Sequence, residues 1–88
     1  METQTEYETL YNKVLIKYGT DRQIDKLIEE MAELTKALMK YKYGHENNVP
    51  EEFADVEFLL KQLKPFFNMG GEVDNWQGIK ENKMQEIV

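Results

Sequence analysis

The sequence contains two short acidic stretches of one pattern, Glu29-Glu30-Met31-Ala32-Glu33 and Glu51-Glu52-Phe53-Ala54-Asp55. Each has two acids, two apolar residues and a further acid, and each lies in a segment with helical periodicity. Because positions i and i+3 of a helix share one face, the acids within each stretch are expected side by side. If the two helices pack antiparallel, their carboxylates meet across one seam, and a hard divalent cation such as Mg²⁺ would offset the repulsion. The carboxylates expected there belong to Glu30, Glu33, Glu52 and Asp55.

Apolar spacing extends this helical pattern over most of the chain. The i, i+3, i+4, i+7 rule predicts a first helix from about Thr5 to Tyr18, with Gly19 as its stop. A second helix follows from Thr20 or Asp21, and residues 42–48 are predicted to form a loop. Asn48 and Glu51 match a capping box, Pro50 suits the first turn of a third helix, and Pro65 should kink or close that helix. A last helix is predicted from about Asp74 to Ile87.

The fold expected from this pattern is an all-α, four-helix-type bundle in which the second and third helices are central and antiparallel. Residues 1–88 are expected to form a single domain. A chain of 88 residues can bury only a small core. We therefore expect a homodimer or homotetramer whose interface completes the core, with aromatic residues such as Tyr7, Tyr11 and Tyr18 in the core or the interface.

Composition excludes several classes of protein. There is no cysteine, so disulfides and thiolate zinc sites are impossible. A net charge of −6 argues against binding nucleic acid through its phosphates. The first residues do not resemble a signal peptide, and no stretch approaches the roughly 20 apolar residues of a membrane span. These features favour a cytoplasmic protein that binds neither membranes nor nucleic acid.

The paired motifs resemble those of the MazG-like superfamily of all-α nucleoside triphosphate pyrophosphohydrolases. The E-x-x-E motif of Glu30 and Glu33 is followed by the E-x-x-D motif of Glu52 and Asp55, and the surrounding residues 28–38 and 51–56 look like the two central helices of that family. The resemblance spans roughly residues 23–63 and extends loosely to the last helix. Either motif alone is weak, but the pair on consecutive helices is considerably more specific.

The resemblance implies hydrolysis of a nucleoside triphosphate to the monophosphate and pyrophosphate. By that analogy the four motif carboxylates bind Mg²⁺, or alternatively Mn²⁺, which would neutralise phosphate charge and activate a water molecule. Glu33 or Glu29 is the candidate general base. The candidates for binding the substrate are Lys36, Asn82 and Lys83, with Lys80 beside them.

Other interpretations remain open at the level of sequence. Each acidic motif alone is more simply a solvated helical face that pairs with lysines such as Lys26 and Lys36. A phosphoribosyl-ATP hydrolase is less favoured, because Asp55 is not followed by a histidine. The alternative from a different class is a non-catalytic acidic helical module that binds a protein partner. That module would explain the charge and the aromatic residues, but not why both acidic motifs border apolar stripes.

Overall fold

The computed structural model describes residues 4–87, with side chains described for residues 9, 10 and 12–87. It contains four helices in the order α1 (Gln4–Tyr18), α2 (Thr20–Lys42), α3 (Val49–Phe67) and α4 (Glu72–Ile87), and no strand within residues 4–87. The predicted all-α class with four helices is therefore confirmed. The predicted positions of Tyr7 and Tyr11 in a core or interface lie outside the described side chains.

Glycines separate the helices where the chain turns. Gly19, with φ 84°, is the single residue between α1 and α2, and Gly71, with φ 80°, precedes α4. A positive φ of this size is costly for any residue with a Cβ, which explains why glycine occupies both positions. Gly19 donates its backbone N–H to Leu15 O at 2.9 Å, so it also closes the last turn of α1.

The start and the end of α3 differ from the sequence prediction in detail. Asn48 precedes the helix and Pro50 lies in its first turn, as expected, but the side chain of Asn48 caps no backbone N–H. Its Nδ2 instead donates to Glu52 Oε1 at 2.8 Å, so the predicted capping box with Glu51 does not form. Pro65 does not end the helix, which continues to Phe67, because it lies in the last turn, where little of the helical hydrogen-bond ladder remains to be broken.

The core lies where α1, α2 and α3 meet. Five apolar side chains are buried among the described residues: Leu15, Ala37, Val56, Leu59 and Leu63. Helices α2 and α3 share the most extensive contact, α1 packs on both, and α4 touches only α3 among the described residues. The two helices that carry the acidic motifs thus form the centre of the fold.

Polar contacts attach α4 to the end of α3. Lys64 Nζ lies 2.7 Å from Asp74 Oδ1, and Asn68 Nδ2 donates to Asp74 Oδ2 at 2.9 Å. The backbone N–H of Asp74 donates in return to Asn68 Oδ1 at 3.1 Å. Because no residue of α4 within the described range is buried, these bonds at its first turn are important for its orientation.

The isolated chain exposes more surface than a compact monomer of its size. Its accessible surface is 7314 Å², compared with roughly 5,400 Å² expected for this mass. Its radius of gyration is 15.6 Å, compared with about 12 Å for a compact domain of this length. Large apolar side chains form exposed stripes on the central helices, namely Ile28, Met31 and Leu38 on α2 and Phe53, Leu60 and Phe67 on α3. Within residues 4–87, none of the helices has the length and apolarity needed to cross a bilayer.

Candidate metal centre

Three carboxylates from the two central helices converge at one point. Glu30 on α2 and Glu52 and Asp55 on α3 each offer an oxygen, and these oxygens lie within 4.8 Å of one another. Glu30 and Glu52 are half-buried and Asp55 is exposed, so the cluster opens to solvent on one side. The i, i+3 spacing of Glu52 and Asp55 places both on the face of α3 that meets Glu30.

Glu52 has the least favourable environment of the three carboxylates. Its Oε1 accepts the bond from Asn48, but its Oε2 is buried and has no hydrogen-bond partner. Burial, followed by the negative charges of Glu30 and Asp55, raises the pKa of Glu52, whereas the bond from Asn48 lowers it. A buried carboxylate oxygen without a donor is costly, and a cation bound at this oxygen would remove that cost.

Lys26 provides a positive charge beside the cluster. Its Nζ lies 3.4 Å from Glu30 Oε1 and 3.8 Å from Glu29 Oε2, and the side chain of Glu30 is only 15% exposed. The hydrogen bond to Glu30, followed by the charges of Glu29 and Glu30, raises the pKa of Lys26. Lys26 is half-exposed and flexible, so it can move away from Glu30 when another cation or a phosphate group competes.

The structure leaves one predicted metal ligand, Glu33, outside the cluster. Glu33 Oε1 pairs with Lys36 Nζ at 3.6 Å on the exposed side of α2, and Glu33 is not among the three converging carboxylates. Its negative charge still contributes to the raised pKa of Glu52, after the contributions of Glu30 and Asp55. Glu33 therefore lies near the centre without joining it in this conformation.

The predicted residues on α4 are not brought to the carboxylates. Asn82 and Lys83 are exposed, as is Lys80, and α4 packs only against α3 among the described residues. The contacts of α4 occur near Lys64 and Asn68, which are 9 and 13 residues beyond Asp55 in the chain, about two and a half helical turns or more. Within one described chain, these residues are therefore not part of the cluster.

A groove of about 790 Å³ runs from the cluster between α1, α2 and α3. Glu29, Glu30 and Asp55 line one end of the groove. Gln23 and Gln62 lie seven residues away from Glu30 and Asp55 on the same two helices, which places them roughly 10 Å along the groove. The remaining lining residues are Val14, Tyr18, Arg22, Asp25, Lys26, Phe58 and Leu59.

Gln23 and Gln62 were not predicted from the sequence as site residues. Gln62 is only 3% exposed, and its Nε2 donates to Gln23 Oε1 at 2.6 Å across the α2–α3 interface. A polar residue between Leu59 and Leu63, at the edge of the buried stripe of α3, is the signal that would have identified Gln62. Gln23 is seven residues before Glu30, a spacing that returns to nearly the same helical face.

Comparisons with protein-family models, with curated proteins and with solved structures found no match for this chain. The resemblance to the MazG-like superfamily therefore stands on the two acidic motifs and their arrangement.

The donor set of the cluster suits a hard cation. Three carboxylates supply only oxygen ligands, which favour Mg²⁺, Ca²⁺ or Mn²⁺ over softer metals. Mg²⁺ is commonly held by one or two carboxylates together with phosphate oxygens and water, and the open side of the cluster leaves room for such ligands. The buried Oε2 of Glu52 is the observation that distinguishes this cluster from an ordinary acidic surface.

Proposed function

We propose that this protein is a Mg²⁺-dependent nucleoside triphosphate pyrophosphohydrolase, built as one MazG-like domain over residues 1–88. The observation that carries the proposal is the convergence of carboxylate oxygens from Glu30, Glu52 and Asp55, together with a buried Oε2 of Glu52 that has no hydrogen-bond partner. The three carboxylates come from the paired acidic motifs that border the core. Their approach in space supports a shared role in binding one ion. Substrate would enter along the groove that the cluster terminates.

In this proposal Glu30, Glu52 and Asp55 hold Mg²⁺ or Mn²⁺, and Glu33 completes the set after leaving Lys36. A bound ion would supply charge neutralisation for the triphosphate and a more acidic water. Glu33 or Glu29 accepts a proton from the attacking water as its oxygen bonds to the α-phosphorus, and the α–β phosphoanhydride bond breaks to release pyrophosphate.

Lysines near the cluster are suited to bind the remaining phosphate charge. Lys26 lines the groove and Lys36 lies one turn beyond Glu33, so both can approach a triphosphate on this side of α2. Asn82 and Lys83 would reach a substrate only after a change in α4 or from a second protomer. We keep them as substrate-binding candidates for that arrangement.

An antiparallel arrangement of α2 and α3 is part of the proposal. It is supported by two pairs of contacts: Glu30 lies beside Asp55, while Gln23 bonds to Gln62. The partner of Gln23 is later in the chain than the partner of Glu30, as antiparallel helices require.

We also propose that the protein is a homodimer or homotetramer. The accessible surface exceeds the monomer expectation by about 1,900 Å², whereas a standard interface buries about 800 Å² from each partner. The exposed stripes on α2 and α3 supply apolar side chains for such an interface. A location in the cytoplasm, in keeping with the absence of cysteine, completes the proposal.

The exposed stripes also favour a second candidate function, a non-catalytic acidic module that binds a protein partner. Phe53, Leu60 and Phe67 are each about half exposed and recur every seven residues along α3. This spacing suits a helix or groove on another protein. The module does not explain the carboxylate cluster, so we rank it second.

A nucleotide panel with Mg²⁺ tests the choice between these functions. Ribo- and deoxyribonucleoside triphosphates are incubated with the protein, and pyrophosphate is measured separately from orthophosphate. Pyrophosphate with the monophosphate supports the proposal, and reaction in ¹⁸O-water should label the monophosphate. Label in pyrophosphate would indicate attack at the β-phosphorus, and orthophosphate as the first product would indicate γ-cleavage.

Variants of the motif acids connect that activity to the site. Glu30→Gln, Glu33→Gln, Glu52→Gln and Asp55→Asn should each abolish turnover, while Glu81→Gln on exposed α4 should leave it unchanged. Retained activity in two or more of the four variants would contradict the metal-site assignment. A wild-type protein inactive on the whole panel would favour the binding module.

A further inference from the structure

The Gln23–Gln62 pair lies in the groove where the base of a nucleotide would lie if its phosphates were bound at the cluster. A triphosphate held at Glu30 and Asp55 would extend its sugar and base away from the cluster along the groove. Two helical turns along both α2 and α3, roughly 10 Å, bring that extension to Gln23 and Gln62. This distance is comparable to the span from the α-phosphate of a nucleotide to the polar edge of its base. Tyr18 lines the same groove.

The amide pair has polar atoms to offer at this position. Each glutamine carries one carbonyl oxygen and one amino group, and the 2.6 Å bond joins the amino group of Gln62 to the carbonyl of Gln23. This bond does not use the amino group of Gln23, which is a donor, or the carbonyl of Gln62, which is an acceptor. A donor and an acceptor on two neighbouring side chains are the kinds of groups that pair with the edge of a nucleobase.

Burial makes this pair more selective than an exposed amide. Gln62 is 3% exposed, and its bond to Gln23 restrains both side chains across the helix interface. A site with fixed and partly desolvated polar atoms rejects a ligand that presents the wrong pattern, because its own groups would then be left unpaired. Tyr18, about half exposed, offers an aromatic face for a base to stack against.

We infer that Gln23 and Gln62 determine the base specificity of the enzyme by reading the donor–acceptor order on the edge of the substrate base. This inference rests on the proposed pyrophosphohydrolase function. Uracil and cytosine have nearly the same shape, but uracil presents a carbonyl beside a ring N–H, whereas cytosine presents an amino group beside a bare ring nitrogen. When the cluster fixes the phosphates, and with them the sugar, the glutamine pair can hydrogen-bond to only one of these two donor–acceptor arrangements.

The test compares dUTP with dCTP in wild type and in variants that keep the side-chain volume. Gln62→Met and Gln23→Met remove the amide while retaining an unbranched side chain of similar size. We expect wild type to prefer one of the two nucleotides by at least about 10-fold in kcat/KM, the equivalent of one hydrogen bond. Each variant should bring the ratio close to 1, mainly by lowering kcat/KM for the preferred nucleotide. Gln77→Met, on α4 and outside the groove, is the matched control and should preserve the ratio.

Melting curves and helical circular dichroism identify a variant that fails to fold, and Gln23→Met, at the less buried position, then provides the measurement. Equal loss of activity toward both nucleotides in a folded variant would overturn the inference and make the pair a structural link between α2 and α3. A wild type that hydrolyses both nucleotides equally well would also overturn it. Failure of the proposed function is distinguishable, because wild type would then release no pyrophosphate from any triphosphate.

Discussion

One carboxylate oxygen of Glu30 and one of Glu52 lie within 4.8 Å of each other, although the two residues belong to different helices and are 22 positions apart in the chain. Like charges at this distance disfavour simultaneous ionisation, and the raised pKa of Glu52 follows from burial together with this neighbour and Asp55. The fold thus retains an electrostatically unfavourable contact at its centre. A contact of this kind is characteristic of functional sites, where stability is sacrificed for binding.

The pH dependence of stability should report the unfavourable ionisation of Glu52. Its folded-state pKa lies above the ordinary value of 4.5, so its favourable contribution is complete below pH 4.5 and is lost as the pH rises through the folded pKa. Without metal at pH 7, Glu52→Gln should therefore be as stable as wild type or more stable. The difference should shrink in acid. Urea unfolding of both proteins between pH 4 and 7 measures it, with Glu81→Gln as the matched control. A Glu52→Gln variant less stable than wild type at every pH would contradict the prediction.

Mg²⁺ should stabilise the wild-type protein through the same carboxylates. At about 100 times its Kd, a bound ion adds about 2.7 kcal/mol to the free energy of unfolding. Glu30→Gln, Glu52→Gln and Asp55→Asn should lose most of that gain, because each removes a converging ligand. Glu33→Gln tests whether Glu33 is also a ligand. Loss of the stabilisation by Mg²⁺ in this variant would show that Glu33 leaves Lys36 to bind the ion, and unchanged stabilisation would show that it does not. Thermal melting at constant ionic strength, with Na⁺ as the comparison salt, provides the measurement. Equal stabilisation by Na⁺ would indicate screening alone.

Helical periodicity was sufficient to predict the architecture that positions these residues. The apolar stripes and Gly19 located α1, α2 and α3 to within a residue or two, because local propensity and burial agree in those segments. The i, i+3 spacing also placed Glu52 and Asp55 together. Each of these features depends on a single helix, so the periodicity of the sequence is enough to predict it.

The relationships between helices could not be obtained in the same way. Whether Glu33 joins Glu30 depends on the rotation of α2 about its axis and on competition from Lys36, which pairs with Glu33. The bond between Gln23 and Gln62 depends on the register of α2 against α3. Asn48 likewise donates to the side chain of Glu52 and caps no backbone N–H, because the cluster fixes the position of Glu52. The pattern of a single helix therefore does not predict these side-chain contacts.

Self-association should involve the exposed stripe of α3. We expect wild type to sediment as a dimer or tetramer at micromolar concentration, because the isolated chain leaves excess surface uncovered. Leu60→Glu would place a charge in that interface and should weaken association by about 100-fold, since an unpaired buried charge costs about 3 kcal/mol or more. Leu60 is 51% exposed in the single chain, so the fold itself should survive.

Lys61→Glu is the control for this experiment, because it also adds negative charge but lies about 100° around the helix from Leu60. Sedimentation velocity at several protein concentrations, with circular dichroism on the same samples, distinguishes dissociation from unfolding. A wild type that remains monomeric at micromolar concentration would contradict the proposed oligomer. Equal effects of both variants would place the interface elsewhere.

The attachment of α4 should weaken in acid and in Asp74→Asn. Lys64 and Asn68 both bond to the carboxylate of Asp74 and lower its pKa, with the bond from Lys64 as the larger cause. The contribution of Asp74 is therefore present above its ordinary pKa of 3.8 and is lost as the pH falls through the lower folded value. Because α4 has no buried side chain among its described residues, loss of these bonds should release α4 before the core opens. Hydrogen exchange should then become faster in residues 72–87 of Asp74→Asn while the amides of α2 and α3 remain protected, and Glu81→Gln should leave both rates unchanged. Uniform acceleration across all helices would instead mean that α4 and the core open as one cooperative unit.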